Sequence, residues 1–242
     1  MNTFMLRLTM ILLVAFTGQL AYAGGSIKGT IKFEGRGPKP RAIRMGADPV
    51  CASQHAEPAY SQAVVINANA TLKNVLVSIE SGLTGKSFPV PEEPVVLIQQ
   101  GCLYDPHVWG VRAGQEVEIR NSDPTLHNIH SLSKVNSPFN FAMPKIIKLK
   151  KHTFKKAEDV FKIKCDVHPW MSTYVGVFDH PFFAVSNDTG SFELADVPAG
   201  TYTVRAWHES KRLPAQTMNI TVSDGETATA DFTFKGPKPK SK

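Results

Sequence analysis

Apolar and polar residues alternate with a period of two along most of the chain, and long stretches with a helical period are almost absent. Residues two apart on an extended backbone share a face, so such runs predict strands that bury one face. They cover residues 26–33, 74–79, 95–98, 117–120, 160–165, 174–178, 191–194, 201–207, 218–222 and 227–234. Between them stand Gly35-Arg36-Gly37-Pro38, Arg112-Ala113-Gly114, Asn187-Asp188-Thr189-Gly190, Pro198-Ala199-Gly200 and Asp224-Gly225, all residue types that turn a chain. Many short strands at this spacing predict an all-β protein made of sandwiches or barrels.

The beginning of the chain is different. Arg7 precedes an apolar run over 8–16, and Ala21-Tyr22-Ala23 follows it, so residues 1–23 read as a secretory signal peptide with an A-x-A cleavage site. Thr17, Gly18 and Gln19 interrupt the run before it reaches the length of about 20 residues that a membrane span needs. The expectation is a periplasmic protein with no membrane span after cleavage, in a compartment where disulfides persist; the alternative is an uncleaved anchor. With 27 Lys+Arg against 21 Asp+Glu the net charge is +6, which neither demands nor excludes an acidic partner. No basic recognition module occurs, and export removes the usual targets, so nucleic acid is not an expected partner.

The sharpest chemical signal is Cys165-Asp166-Val167-His168-Pro169-Trp170-Met171, a C-x-x-H-x-x-M stretch after the strand-like run Phe161-Lys162-Ile163-Lys164. The strand period places Phe161, Ile163 and Cys165 on the inner face. A thiol, an imidazole and a thioether at three-residue intervals can converge on one point. A type 1 copper site takes two imidazoles, one thiolate and a weak axial Met, so a second imidazole is needed. His127 and His130, in His127-Asn128-Ile129-His130, are the candidates. A thioether is a poor choice for structural zinc, and a dinuclear copper site would need a second cysteine in the loop. Met143 is an alternative thioether that reads better as loop packing.

These two segments resemble the cupredoxin family, with the short ligand loop of its amicyanin branch. The resemblance covers roughly residues 95–178, and implies a Greek-key β-sandwich holding one type 1 copper per chain. His127, Cys165 and His168 would be the equatorial ligands and Met171 the axial one, with Asn128 tying the two ligand loops together. It also implies that the edge of His168, flanked by Pro169 and Trp170, lies in an apolar surface patch where electrons enter or leave.

The flanks carry a second resemblance. Thr189-Gly190-Ser191-Phe192-Glu193-Leu194, Val197-Pro198-Ala199-Gly200-Thr201-Tyr202 and an upstream Gly29-Thr30-Ile31-Lys32-Phe33 resemble the transthyretin-like β-sandwich of carboxypeptidase regulatory domains. The expected organisation is a discontinuous sandwich over 25–82 and 180–235, a cupredoxin domain over 89–178, and a basic tail over 236–242.

Cysteine arithmetic follows from the ligand assignment. If Cys165 is the metal thiolate, Cys51 and Cys102 remain to form a disulfide; the competing arrangement is a second metal site from Cys51, His55, Cys102 and His107. His152, His180 and His208 read as packed or solvated residues. Lys145, Lys148, Lys150, Lys151, Lys155 and Lys156, interleaved with Ile146, Ile147, Leu149 and Phe154, read as a solvated strand face or as a docking patch for an acidic redox partner, such as a c-type cytochrome or a dehydrogenase. With all four ligands supplied by the chain, the expectation is an electron-transfer protein that is not an enzyme. The rivals are a periplasmic copper carrier or storage protein, and a cell-surface binding sandwich with a structural copper domain.

Overall fold

The structure is a computed structural model, in which residues 24–236 are described. The expected signal peptide and all but the first residue of the basic tail lie outside the described residues. Among the described residues the chain forms seventeen strands and a single helical turn, Pro49–Ala52, so the protein is all-β. No helix among them is long and apolar enough to cross a membrane.

The strands form four sheets around two cores. One sheet is built on Gly25–Glu34, which lies antiparallel to Ser191–Val197 and parallel to both Thr227–Thr229 and Phe232–Lys235. The other sheet at this end runs Phe183–Val185, Leu76–Ser81, Gly200–Trp207, Gln216–Val222. Between them Ile27, Ile31, Leu72, Val77, Ile79, Leu194, Val204, Phe232 and Phe234 are buried. The period of two is visible in the first strand, where Ile27, Ile31 and Phe33 face in while Lys28 and Lys32 face out. The expected strand over 227–234 is divided, because the Asp231 carboxylate accepts hydrogen bonds from Thr30 N (2.9 Å) and Lys32 Nζ (3.0 Å) where ladder pairing would continue.

The intervening chain makes the second pair of sheets. One has the order Val108–Arg112, Ser172–Phe178, Glu158–Lys164, His127–Ser131, Asn140–Met143; the other runs Leu103–Asp105, Val95–Gln100, Glu116–Asn121, Leu149–Thr153. Leu97, Trp109, Val111, Val117, Ile119, Ile129, Phe161, Ile163, Cys165, Met171 and Val175 fill the space between. Where the chain passes between the two cores, the buried Arg112 guanidinium donates to the carbonyls of Phe88 (3.1 Å), Pro89 (3.0 Å) and Asp179 (3.0 Å), fastening the outgoing and returning crossings to one side chain.

Several strands do not show as alternating runs. Leu103–Asp105 and Phe183–Val185 are three residues long, too short to show a period. His127–Ser131 is buried on both faces except at His130, so its polar residues hide the pattern. The lysine-rich Leu149–Thr153 lies at a sheet edge, with Lys151 paired to Glu116 (2.7 Å) and Lys150 over the Phe141 ring; charged residues on an exposed edge discourage pairing with another chain.

Candidate metal centre

Cys165 follows directly on Glu158–Lys164, whose inward residues Phe161 and Ile163 carry the chain into the core with the thiol on the same side. The ligand loop then closes on itself: Met171 N donates to His168 O (2.9 Å) and Cys165 N donates to Met171 O (3.1 Å). Within it His168 N donates to the Cys165 sulfur (3.3 Å). The neighbouring strand begins at His127, and its His130 and Ser131 pair with Lys164 and Ile163. Asn128 binds the two segments, its Oδ1 accepting from Asp166 N (2.6 Å) and Val167 N (3.4 Å).

Three donor groups converge from this frame. His127 Nδ1 and His168 Nδ1 are 2.9 Å apart, and Cys165 Sγ lies 3.9 Å from His168 Nδ1. Ligand atoms of all three residues lie within 4.8 Å of one another. His127 is fully buried, and His168 and Cys165 are each 2% exposed. Met171 is fully buried in the same core.

Both imidazoles are held from behind by carboxylates. His127 Nε2 meets Asp123 Oδ2 at 2.7 Å, and His168 Nε2 meets Asp48 Oδ2 at 2.8 Å. An ionised carboxylate only accepts, so each Nε2 carries a hydrogen and each neutral ring turns an Nδ1 lone pair into the site. Two lone pairs facing at 2.9 Å call for one cation between them, a proton or a metal ion.

The ionisation tendencies agree. Burial works against a charged His127, but its bonds to Asp123 and Cys165 outweigh that and raise its pKa above the ordinary imidazole value. Burial likewise opposes the Cys165 thiolate, yet His127 and the backbone N–H groups of Asn128, His168 and Val167 hold the thiol below its usual range. A thiol that ionises readily beside two oriented imidazoles suits a borderline or soft ion.

The two carboxylates are themselves well anchored. Asp123 is fully buried and also accepts from Gly101 N (2.7 Å) and Cys102 N (2.8 Å). Gly101 and Cys102 both have positive φ, 61° and 53°, as the central pair of a tight hairpin turn requires, and that conformation aims both N–H groups at Asp123. Asp48 caps the helical turn Pro49–Ala52, its Oδ1 accepting from Val50 N (2.8 Å) and Cys51 N (3.3 Å). Bonds to His168 and to those backbone groups hold its carboxyl below the usual carboxylate range, although burial opposes this.

The other expected candidates lie elsewhere. His130 turns to the surface side, where its Nδ1 meets Asp166 Oδ2 at 2.8 Å. Met143 is buried opposite His127 in the ladder, and its sulfur accepts from Gln99 Nε2 at 3.1 Å. Cys51 and Cys102 form a disulfide. His55 and His107 are held apart from it, His55 Nε2 on Gly101 O (2.7 Å) and His107 on Glu209, so the competing site from Cys51, His55, Cys102 and His107 is not assembled. His152 packs between Phe139 and Phe154, and His208 Nδ1 accepts from Ser210 N.

The expectation that the His168 edge lies at the surface is overturned. Asp48 sits on its Nε2, Cys51 Sγ lies 3.5 Å from the same nitrogen, and Trp170 Nε1 donates to Cys102 O (3.1 Å). The cover comes from the segment around Pro49–Ala52, outside the stretch that resembles cupredoxins. Asp48 and Asp123 are the functional residues the sequence reading missed. Asp48-Pro49 is a recognisable helix start, and Asp123 stands four residues before His127, but neither signal points to an imidazole.

Neither a family model nor a curated protein matches the chain. Solved structures resemble part of it. A Cu-containing nitrite reductase from Thermus scotoductus SA-01 is 20% identical over 41% of this chain and 25% of its own, with a TM-score of 0.34. A purple cupredoxin from Nitrosopumilus maritimus is 24% identical over 35% of this chain and 99% of its own, with a TM-score of 0.30. A reduced Cu(I) form of an amicyanin mutant is 23% identical over 42% of this chain and 98% of its own, with a TM-score of 0.32. The chain thus spans a quarter of the length of the nitrite reductase it matches, and these likenesses concern fold alone. None of these three extends the likeness to a transthyretin-like sandwich, and that expected resemblance is unsupported.

One expectation is corrected here. The chain was expected not to be an enzyme, on the ground that four protein ligands leave no position for substrate. One of the neighbours is a copper-containing enzyme, so that inference does not stand. Closure of one metal centre describes that centre alone and says nothing about chemistry elsewhere on the chain.

Proposed function

We propose that the chain holds one copper ion of the type 1 kind at Cys165, His127 and His168, with Met171 as the weak axial ligand, and uses it to pass single electrons. The observation that supports this most directly is the convergence of two Nδ1 atoms and one thiol in a buried site, with both Nε2 atoms fixed to carboxylates. The donor set fits copper. Thiolate and thioether suit a soft ion, imidazole suits Cu(II) as well as zinc, and a nearby methionine has no use in a closed zinc site. When bound there, copper supplies a one-electron Cu(II)/Cu(I) couple.

The chain's own residues do the rest. Cys165 provides the charged sulfur, and His168 N donates to it, which limits its reactivity. Asp123 and Asp48 stand behind the two rings, and the surrounding core excludes water. Ligands held in place before the ion arrives need little rearrangement when it changes oxidation state.

A signal-like N-terminus and a disulfide both suit the periplasm, which supports the same reading. The exposed Lys145, Lys148, Lys155 and Lys156 offer a basic surface to an acidic redox protein such as a c-type cytochrome or dehydrogenase, whose attraction would weaken with salt.

Addition of Cu(II) to the purified protein is expected to give one bound ion per chain and an intense visible thiolate-to-copper absorption, abolished by Cys165→Ser. A colourless complex holding labile Cu(I) would instead indicate a copper carrier and contradict the electron-transfer reading.

A further inference from the structure

The contacts behind the two histidines form one closed circuit. His127 meets Asp123, and Asp123 accepts from Cys102 N. Cys102 is bonded to Cys51, Cys51 N donates to Asp48, and Asp48 meets His168, which returns to His127 at 2.9 Å. Two of its six residues, Asp48 and Cys51, lie outside the stretch that carries the ligands: Asp48 and His168 are 120 positions apart in sequence. The sulfurs of Cys51 and Cys102 lie near enough to the same carboxylates and imidazoles to form two further potential metal-binding groups, Asp48–Cys51–His168 and Cys102–Asp123–His127. Their mutual bond occupies both sulfurs, so they serve as scaffold.

We propose that Asp48 is the positioning residue for His168: its carboxylate, presented by a capped helical turn that the Cys51–Cys102 bond staples over the site, fixes the ring as the Nε2–H tautomer and directs Nδ1 toward Cys165 and His127. Each part has its own observation. The cap aims the carboxylate, since Oδ1 is committed to Val50 N and Cys51 N, leaving Oδ2 for the ring. The staple sets the distance, because it joins the turn to the hairpin whose N–H groups hold the carboxylate behind His127. The ligand loop contacts the ring nitrogens only through Cys165 Sγ, 3.9 Å from Nδ1, and a sulfur that can donate as a thiol or accept as a thiolate is compatible with either tautomer.

This rests on the reading of the site as a copper centre for its effect on binding, but not for its effect on the ring. Two variants separate cap from contact. Asp48→Ser preserves a good N-cap with a side chain too short to reach the imidazole, and Asp48→Asn preserves the cap through its one oxygen but turns an NH2 donor toward Nε2. In the metal-free protein at alkaline pH, where the proton between the two Nδ1 atoms is lost and the rings can relax apart, ring nitrogen NMR of the wild type should still show His168 as a single Nε2–H form, held by Asp48. Asp48→Ser should show a mixture of tautomers, and Asp48→Asn, with a donor facing Nε2, should favour the Nδ1–H form.

On the copper side, loss of such an outer partner typically lowers metal affinity about 10–100-fold, and that loss is expected for Asp48→Ser. If His168 remains wholly in the Nε2–H form in Asp48→Ser, the proposal is overturned whatever the copper result. If the wild type binds no copper, the functional reading fails, while the ring measurement still decides the role of Asp48.

Discussion

Asp123→Ala is expected to destabilise the metal-free protein by about 3–5 kcal/mol, the range for removing one partner of a buried ion pair. The carboxylate is fully buried and faces three donors: His127 Nε2, Gly101 N and Cys102 N, at 2.7, 2.7 and 2.8 Å. Its removal strands all three in a site closed to water, and each neutral orphan alone costs about 1–3 kcal/mol. The two backbone groups belong to a turn held at positive φ, so they cannot swing to new partners without dismantling the hairpin between Val95–Gln100 and Leu103–Asp105. Urea unfolding should show a lower midpoint with an unchanged slope. A loss below about 1 kcal/mol, the net worth of a single ordinary hydrogen bond, would mean that the carboxylate is not the anchor described here.

The second large effect is expected from Cys51→Ser combined with Cys102→Ser. The bond closes a separation of 51 residues, and the chain-entropy relation gives about 4 kcal/mol for a loop of that size, with about 2–4 kcal/mol typical of measured cases. Beyond stability, the bond fastens the cover over His168. The double variant should therefore release copper to a chelator faster than the wild type, while keeping the Cys165 absorption band. Equal stability and equal release rates would contradict the role of the disulfide as a staple.

Legibility followed locality. Cys165 and His168 fall within one short loop, so their meeting could be read from spacing together with the strand period that turns Cys165 inward, and Met171 is buried in the same core. His127 and His130 were harder to separate. They lie three apart on one strand, on opposite faces, and only the fold shows that His127 is fully buried while His130 meets Asp166 near the surface.

The strands that alternate on a half-buried sheet, such as Gly25–Glu34 and Gly200–Trp207, were visible. His127–Ser131, with polar residues on its buried faces, was not. Asp48 was out of reach for a different reason: its partner is 120 residues away, and no periodicity encodes a contact between segments that share no sheet. The same gap led to the mistaken expectation of an exposed His168, because the cover belongs to residues with no counterpart in the resemblance.

The central claim is that Cys165, His127 and His168 together bind a single copper ion. X-ray absorption at the copper edge of the singly loaded protein tests it most directly. The account predicts one short copper–sulfur shell beside two imidazole nitrogens, with the sulfur shell lost in Cys165→Ser. A spectrum with only nitrogen and oxygen neighbours in the wild type would contradict it.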